Sequence, residues 1–218
     1  MSMKLMIAVP TTDYVHADFL KSLVKLTEEL ARRRIAYSVE IAAGTLVYIA
    51  RNRLACKAIN ENYTHVLWLD SDMVFSEKIL DDLMFCGKDM VCGAFVSRRP
   101  PYTPCIYSKL APEGRVEKVK DFGLEAFRVE GCGFACVLTS VEVLRAVQMK
   151  YGTSFMPTPD YGEDLAFCDR VRNVGMEIWC EPTARVGHIA HVPVWPGEDI
   201  FMVSSISQPA KLRKKLKS

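Results

Sequence analysis

Short apolar runs alternate with amphipathic stretches over the first hundred residues of the chain. Leu5-Met6-Ile7-Ala8-Val9 is an unbroken apolar run ending at Pro10, the pattern of a strand buried on both faces. From Ala17 to Arg34, Leu20, Leu23, Val24, Leu26, Leu30 and Ala31 recur at helical spacing against a charged face, which predicts an amphipathic helix. The alternation continues with a strand over Ala36–Ala42, a helix over Val47–Asn60 and a strand over His65–Leu69. A helix over Glu77–Phe85, with Ser76 as its N-cap, and a strand over Met90–Phe95 complete the series. Such alternation implies right-handed crossovers and a mostly parallel sheet. After Val96 the pattern breaks. A Pro-rich loop, Ser97-Arg98-Arg99-Pro100-Pro101, leads into short strands of antiparallel type through about Val129. Gly131-Cys132-Gly133-Phe134 then reads as a turn before a strand over Ala135–Leu138. Ser140 caps a helix to about Gln148, a further helix spans Glu163–Asn173 with Gly175 just past its end, and Glu177–Cys180 is the last clear strand. The expected fold is α/β: a Rossmann-like, mostly parallel central sheet with flanking helices and a smaller antiparallel part.

Composition narrows the class. The 218 residues suffice to bury a full core, and a net charge of +2 gives no argument for nucleic acid as a partner. No run approaches the roughly eighteen apolar residues of a membrane span, and the N-terminal run is too short for a signal peptide. The eight cysteines include no CxxC pair, which removes the argument for a zinc cluster or a thioredoxin-like motif. Cys56, Cys86, Cys92, Cys136 and Cys180 sit inside apolar patterns and are expected to be buried, reduced thiols of a cytoplasmic protein. The tail, Lys211-Leu212-Arg213-Lys214-Lys215-Leu216-Lys217, is basic. It reads either as a flexible end or as a peripheral contact with an anionic membrane, where each cation contributes about 1 kcal/mol.

The candidate chemistry begins where the third strand surfaces, at Asp70-Ser71-Asp72. Residues two apart on an extended chain share a side, so the two carboxylates are expected together. Unpaired charges about 4 Å apart repel by roughly 4 kcal/mol at an effective dielectric near 20, so such a pair invites a cation. An all-oxygen pair suits Mg²⁺ or Mn²⁺. The alternative is an Asx turn leading into a helix. Ligands of parallel sheets bind beyond the strands' carboxyl ends, where Thr11, Thr12, Asp13, Ala43, Gly44, Asp70 and Asp72 all fall. Tyr161-Gly162-Glu163-Asp164 sets two carboxylates in the first turn of a helix, which the helix dipole alone would explain. Arg51-Asn52 puts a cation early in a helix, rationalised by a phosphate or an acidic partner, or else simply exposed. Arg98 and Arg99 either steer an anionic ligand or form a solvated charge pair. His188 and His191, in Gly187-His188-Ile189-Ala190-His191, are structural hydrogen-bonders or metal ligands.

In this order the motifs resemble those of glycosyltransferases of the GT-A fold, in particular the family 2-like and mannan-polymerase-like groups and their small phage and bacterial members. Asp70-Ser71-Asp72 resembles the DxD motif, Glu163-Asp164 the later acidic pair, and Gly187-His188 the third metal ligand of that family. The resemblance covers roughly Lys4 to His191. It implies a single domain over 1–205, with 1–97 as the nucleotide-sugar half, 98–205 as the acceptor and catalytic half, and 206–218 as the tail. It further implies a nucleotide-sugar donor and a sugar, lipid-linked or protein acceptor. Mn²⁺ or Mg²⁺ would be held by Asp72, His188 and, directly or through water, Asp70; an imidazole ligand favours Mn²⁺. Pro10, Thr11, Asp13, Arg51, Asp70, Ser71, Gly131 and Gly133 would line the donor site, Asp164 would be the base and Glu163 would bind hydroxyls. The acidic cluster that grips the nucleotide in many family 2 enzymes is missing from the second strand, where Thr11, Asp13 and Glu40 are the available substitutes. Two other readings stand beside this one. A sugar nucleotidyltransferase would carry a Gly-rich basic loop after the first strand, which Pro10-Thr11-Thr12-Asp13-Tyr14-Val15 lacks. The third is a non-catalytic nucleotide-sugar-binding protein.

Overall fold

The apolar run that opens the chain becomes the centre of a sheet. The computed structural model describes residues 3–190; the tail, His191 and the end of the expected domain lie outside them. In chain order the elements are β1 (Lys4–Pro10), α1 (Ala17–Arg32), β2 (Ala36–Ala42), α2 (Val47–Asn60), β3 (His65–Leu69), β4 (Met73–Val74), α3 (Ile79–Phe85) and β5 (Met90–Ala94). There follow β6 (Ile106–Ala111), β7 (Arg115–Lys118), β8 (Phe127–Val129), β9 (Gly131–Cys132), β10 (Cys136–Ser140), α4 (Val141–Tyr151), α5 (Glu163–Asn173), β11 (Ile178–Arg185) and β12 (Gly187–His188).

The main sheet has seven strands in the order β2-β1-β3-β10-β5-β11-β8. β2, β1, β3, β5 and β11 run one way, and β10 and β8 run against them. The fold is thus α/β and Rossmann-like, with a mixed, mostly parallel sheet. β10 is the departure from simple alternation: it enters antiparallel between β3 and β5. Two small antiparallel sheets, β12-β4 and β7-β6-β9, stand beside the main one. Because the first crossover leads to one side of β1 and the second to the other, the crevice between the carboxyl ends of β1 and β3 is a topological switch point.

Helix α4 packs against both α2 and α5, while Arg33, which caps the end of α1, forms an ion pair with Asp81 of α3 at 2.6 Å. Leu5 to Val9 and Val66 to Leu69 are wholly buried, as unbroken apolar runs require. Beneath the switch point Trp68, Phe134, Phe155 and Phe167 form an aromatic cluster. Phe155 and Phe167 stack at 4.4 Å, and Trp68 and Phe134 meet Phe155 edge-on, each at 5.0 Å. Trp68 Nε1 donates to Thr139 Oγ1 at 3.0 Å, so the buried indole is satisfied.

Some expectations are corrected. α3 starts at Ile79 with Lys78 as N-cap, because Ser76 closes a preceding turn in which its hydroxyl accepts from Lys78 N at 3.1 Å. Ser140 does hold the N-cap position of α4, but its buried hydroxyl makes no cap bond. α4 runs on to Tyr151, where Gly152 takes the left-handed conformation (φ 69°) that ends a helix. Gly131-Cys132 is a short strand on β6 rather than a turn. The cysteines are all free thiols, yet Cys56, on α2, is exposed and Cys86 is only part-buried, against expectation, as is Cys105, while Cys92, Cys132, Cys136, Cys168 and Cys180 are buried. Among the described residues no helix is long and apolar enough to cross a membrane.

Candidate functional site

A cleft of about 560 Å³ opens at the switch point, walled by Pro10, Thr11 and Tyr14 after β1, by Asp70, Ser71 and Asp72 after β3, and by Arg98. The first two walls are stitched together. Thr11 Oγ1 donates to the Tyr14 carbonyl at 2.7 Å and lies 3.1 Å from Ser71 Oγ, and His16 N donates to the Ser71 carbonyl at 3.2 Å. Asp13 is exposed and is not among the cleft's lining residues. Glu40 accepts from Lys57 Nζ at 2.7 Å, which gives that carboxylate a partner of its own.

The chain turns at the end of β3, with Met73 N donating to the Asp70 carbonyl at 3.3 Å. The extended geometry that would set both carboxylates together therefore stops at Leu69, and each finds its own cationic partner. Asp70 Oδ1 accepts from Arg51 Nη2 at 2.8 Å; Arg51 Nη1 donates to Glu163 Oε1 at 2.6 Å. Arg51 is 3% exposed, and its guanidinium rests 5.3 Å from the centre of the Phe134 ring. It is therefore neither an exposed helical arginine nor a wall of the cleft: its acidic partners are supplied by the chain itself. Its Nε is buried without a partner among the described residues. Burial pushes the Asp70 carboxyl up, Arg51 opposes that, and the charges of Asp72 and Glu163 push it further. Next to Arg51, Asn52 Oδ1 accepts from the backbone N–H of Ser154 (3.1 Å) and Phe155 (2.8 Å), and Arg170 Nη1 donates to the Ser154 carbonyl at 2.9 Å. The loop before α5 is held by this pair, and Phe155 is thereby placed in the aromatic cluster.

α5 begins at Glu163, so the paired acids occupy its first turn, as the dipole favours. Asp164 Oδ1 accepts from Leu165 N at 2.8 Å. Burial raises the Asp164 pKa, the Glu163 charge adds to the rise, and Arg51 counters it. A Cβ on Gly133 would lie 3.7 Å from Asp164 Oδ2 but only 2.9 Å from Phe95 Cζ. One on Gly131 would lie 3.1 Å from both Leu110 and Leu165. On the Cβ side, the space these glycines leave is taken by the protein's own side chains.

Asp72 meets the far end of the chain. A β-bulge between Glu181 and Arg185 bends β11, with Thr183 N and Oγ1 donating to Glu181 Oε1 at 3.0 and 2.7 Å. After the bulge Val186 N bonds the Ala94 carbonyl, and β12 pairs with β4 so that His188 faces Met73. His188 Nε2 comes to 3.3 Å from Asp72 Oδ2, and Nδ1 donates to the Val96 carbonyl at 3.0 Å. Arg98 Nη1 reaches the same Asp72 oxygen at 2.7 Å. Burial pushes the Asp72 carboxyl up, but the hydrogen bond and charge of His188, with Arg98, outweigh it and hold the carboxyl below its ordinary range. The Asp72 hydrogen bond raises the His188 pKa against burial, and the Val96 carbonyl assists.

The fit to a divalent cation rests on this donor pair. Among the described residues no group of three or more His, Cys, Asp or Glu side chains is gathered in ligating geometry. Two ligands are enough for a hard six-coordinate ion that completes its shell with water and phosphate oxygens. Neighbouring ligands of an octahedral ion with bonds of about 2.1 Å lie about 3 Å apart, close to the 3.3 Å between Asp72 Oδ2 and His188 Nε2. The Val96 carbonyl fixes the tautomer that leaves Nε2 for a metal, the usual outer-shell arrangement. Asp72 and His188 fit; Asp70, engaged by Arg51, is placed beside them.

No protein-family model matches the chain, and no curated protein does. Among solved structures, A197 from STIV is similar in fold, with a TM-score of 0.56 and 17% sequence identity over 90% of this chain and 98% of that one.

Proposed function

We propose that the chain is a divalent-metal-dependent glycosyltransferase, moving a sugar from a nucleoside-diphosphate sugar to an acceptor hydroxyl. The observation that carries this reading is the assembly of Asp72, His188, Asp70–Arg51–Glu163 and Asp164 around the cleft-bearing end of the sheet, with the paired residues Arg51 and Glu163, and Asp72 and His188, each more than a hundred positions apart in sequence. Asp72 and His188 would hold the cation, whose chemistry is Lewis-acid neutralisation of charge on the leaving diphosphate. The walls formed by Thr11 and Ser71 would receive the donor. Arg51, by pairing Asp70 on one half with Glu163 on the other, keeps the two halves in fixed register.

Asp164 is the proposed base. In an inverting displacement it takes the acceptor hydroxyl's proton as the C–O bond to the leaving diphosphate breaks and the new one forms. Its raised pKa suits that role, because a more basic carboxylate accepts a proton more readily at neutral pH. Glu163, tied to Arg51, is the positioning residue. The acceptor is a sugar, lipid-linked or protein hydroxyl.

The test is a thermal-shift panel of nucleotide-sugars with and without Mn²⁺. The reading expects stabilisation by one donor class that requires Mn²⁺ and is lost in Asp72→Asn. No shift with any donor would overturn it. A selective shift with no release of nucleoside diphosphate toward any acceptor or water would favour a binding protein instead.

A further inference from the structure

The Asp72 carboxylate has two nitrogen partners on a single oxygen, the His188 imidazole and the Arg98 guanidinium, and only one of them can stay when a metal binds. His188 comes from a strand pinned by β4 and by the Val96 carbonyl. Arg98 comes from the loop after β5; its side chain is half exposed and lines the cleft. A divalent cation held by Asp72 Oδ2 and His188 Nε2 would sit close to the Arg98 guanidinium, now 2.7 Å from that oxygen. The two positive charges would repel at short range in a partly desolvated site. An imidazole nitrogen can serve as a metal ligand, whereas the Arg98 guanidinium has no lone pair to offer and keeps its charge. Arg98 must therefore move, and a planar guanidinium on a flexible stem at the cleft wall is suited to phosphate oxygens.

We propose that Arg98 is an exchangeable counter-charge: it pairs with Asp72 until a divalent cation takes that oxygen, and then binds the phosphates that the cation brings with it. This deepens the glycosyltransferase reading and rests on its metal site. The device makes cation and diphosphate binding interdependent. A bare cation must break the Arg98–Asp72 pair without return, whereas a cation–diphosphate complex gives Arg98 a new partner. Linkage makes the coupling reciprocal. The arrangement would keep the site from filling with metal alone.

The experiment measures Mn²⁺ binding to the full chain by the loss of the free-ion electron paramagnetic resonance signal. Wild type, Arg98→Ala and Asp72→Asn are compared, each checked for an unchanged circular dichroism spectrum. Arg98→Ala is expected to bind Mn²⁺ alone roughly fivefold more tightly, the effect of removing one part-exposed ion pair. With preformed Mn²⁺–pyrophosphate as the titrant, followed by calorimetry, the order inverts and wild type binds more tightly than Arg98→Ala. Equal or weaker Mn²⁺ affinity in Arg98→Ala overturns the exchange, and equal affinities for Mn²⁺–pyrophosphate overturn the phosphate role. In either case, Mn²⁺ binding that is lost in Asp72→Asn leaves the metal site itself standing. Absence of Mn²⁺ binding in all three proteins overturns the metal site and the inference together.

Discussion

Arg51 and His188 show how single side chains hold the site. Among the described residues Arg51 is the one cation paired with Asp70 and with Glu163, and its own side chain is almost wholly buried. Replacing it by methionine strands two carboxylates in a half-buried pocket. Loss of one partner of a buried ion pair costs about 3–5 kcal/mol, and the part exposure of both acids places the expected cost at about 3. Urea unfolding of Arg51→Met checks this; a loss below about 1 kcal/mol would mean the carboxylates re-solvate freely. The Asp72–His188 pair sets a pH window. His188 has its pKa raised above the ordinary 6.5, so its contribution is complete below that value and is lost as pH rises through the raised value. Asp72 has its pKa lowered below 3.8, so its contribution is present above that value and is lost as pH falls through the lowered one. The pair therefore stabilises the protein most between about pH 4 and 6.5. The melting-temperature difference between wild type and His188→Gln should be largest there and shrink above neutrality. Mn²⁺ affinity should slope the other way, increasing as His188 gives up its proton.

Among the elements, the bulge in β11 does most to make the site. Without it the strand would continue in register along β5 and His188 would not reach β4. Gly93 is what lets the bulge lie close: a Cβ there would come 2.5 Å from the Ala184 carbonyl oxygen, which is backbone and cannot swing aside. Gly93→Ala is expected to cost about 1–3 kcal/mol by overpacking. It should also weaken Mn²⁺ binding by displacing His188. Unchanged Mn²⁺ affinity in a destabilised Gly93→Ala protein would separate the bulge from the site. The same elements explain what the sequence makes legible. β2, α2, β3 and α5 have the bounds the sequence pattern predicts, because α2, β3 and α5 bury apolar residues and β2 sets Tyr37, Val39 and Ala42 part-buried against the core. β4 and β12 are two residues each and exist only because Met73 pairs with His188 across the chain. β10 has an ordinary strand pattern, and nothing local tells that it enters antiparallel between β3 and β5. β11 runs on to Arg185, past the Cys180 where the sequence pattern stops, because it carries Pro182 and a bulge that break the alternation.

For the whole molecule, the chain order of the acids and the histidine is readable in the sequence, and the partner that each carboxylate takes is not. Asp72, Glu163, Asp164 and His188 stand out by residue type at strand ends and a helix start. That Asp70 belongs to Arg51, and that Arg98 sits on Asp72, depends on turns and loops with no periodicity. Gly131 and Gly133 show the converse: a small-residue motif can serve packing against Leu110, Leu165 and Phe95. The sheet brings an N-terminal half bearing Asp70 and Asp72 against a C-terminal half bearing Asp164 and His188; in the proposed function donor binding belongs to the first and proton removal mainly to the second. Release of nucleoside diphosphate from the nucleotide-sugar that stabilises the protein, measured with Mn²⁺ and acceptor for wild type and Asp164→Asn, tests that division most directly. Asp164→Asn is expected to keep wild-type, Mn²⁺-dependent donor binding while turnover falls by about 10²–10⁴-fold, the range for loss of a general base. Turnover of Asp164→Asn at the wild-type rate would contradict it.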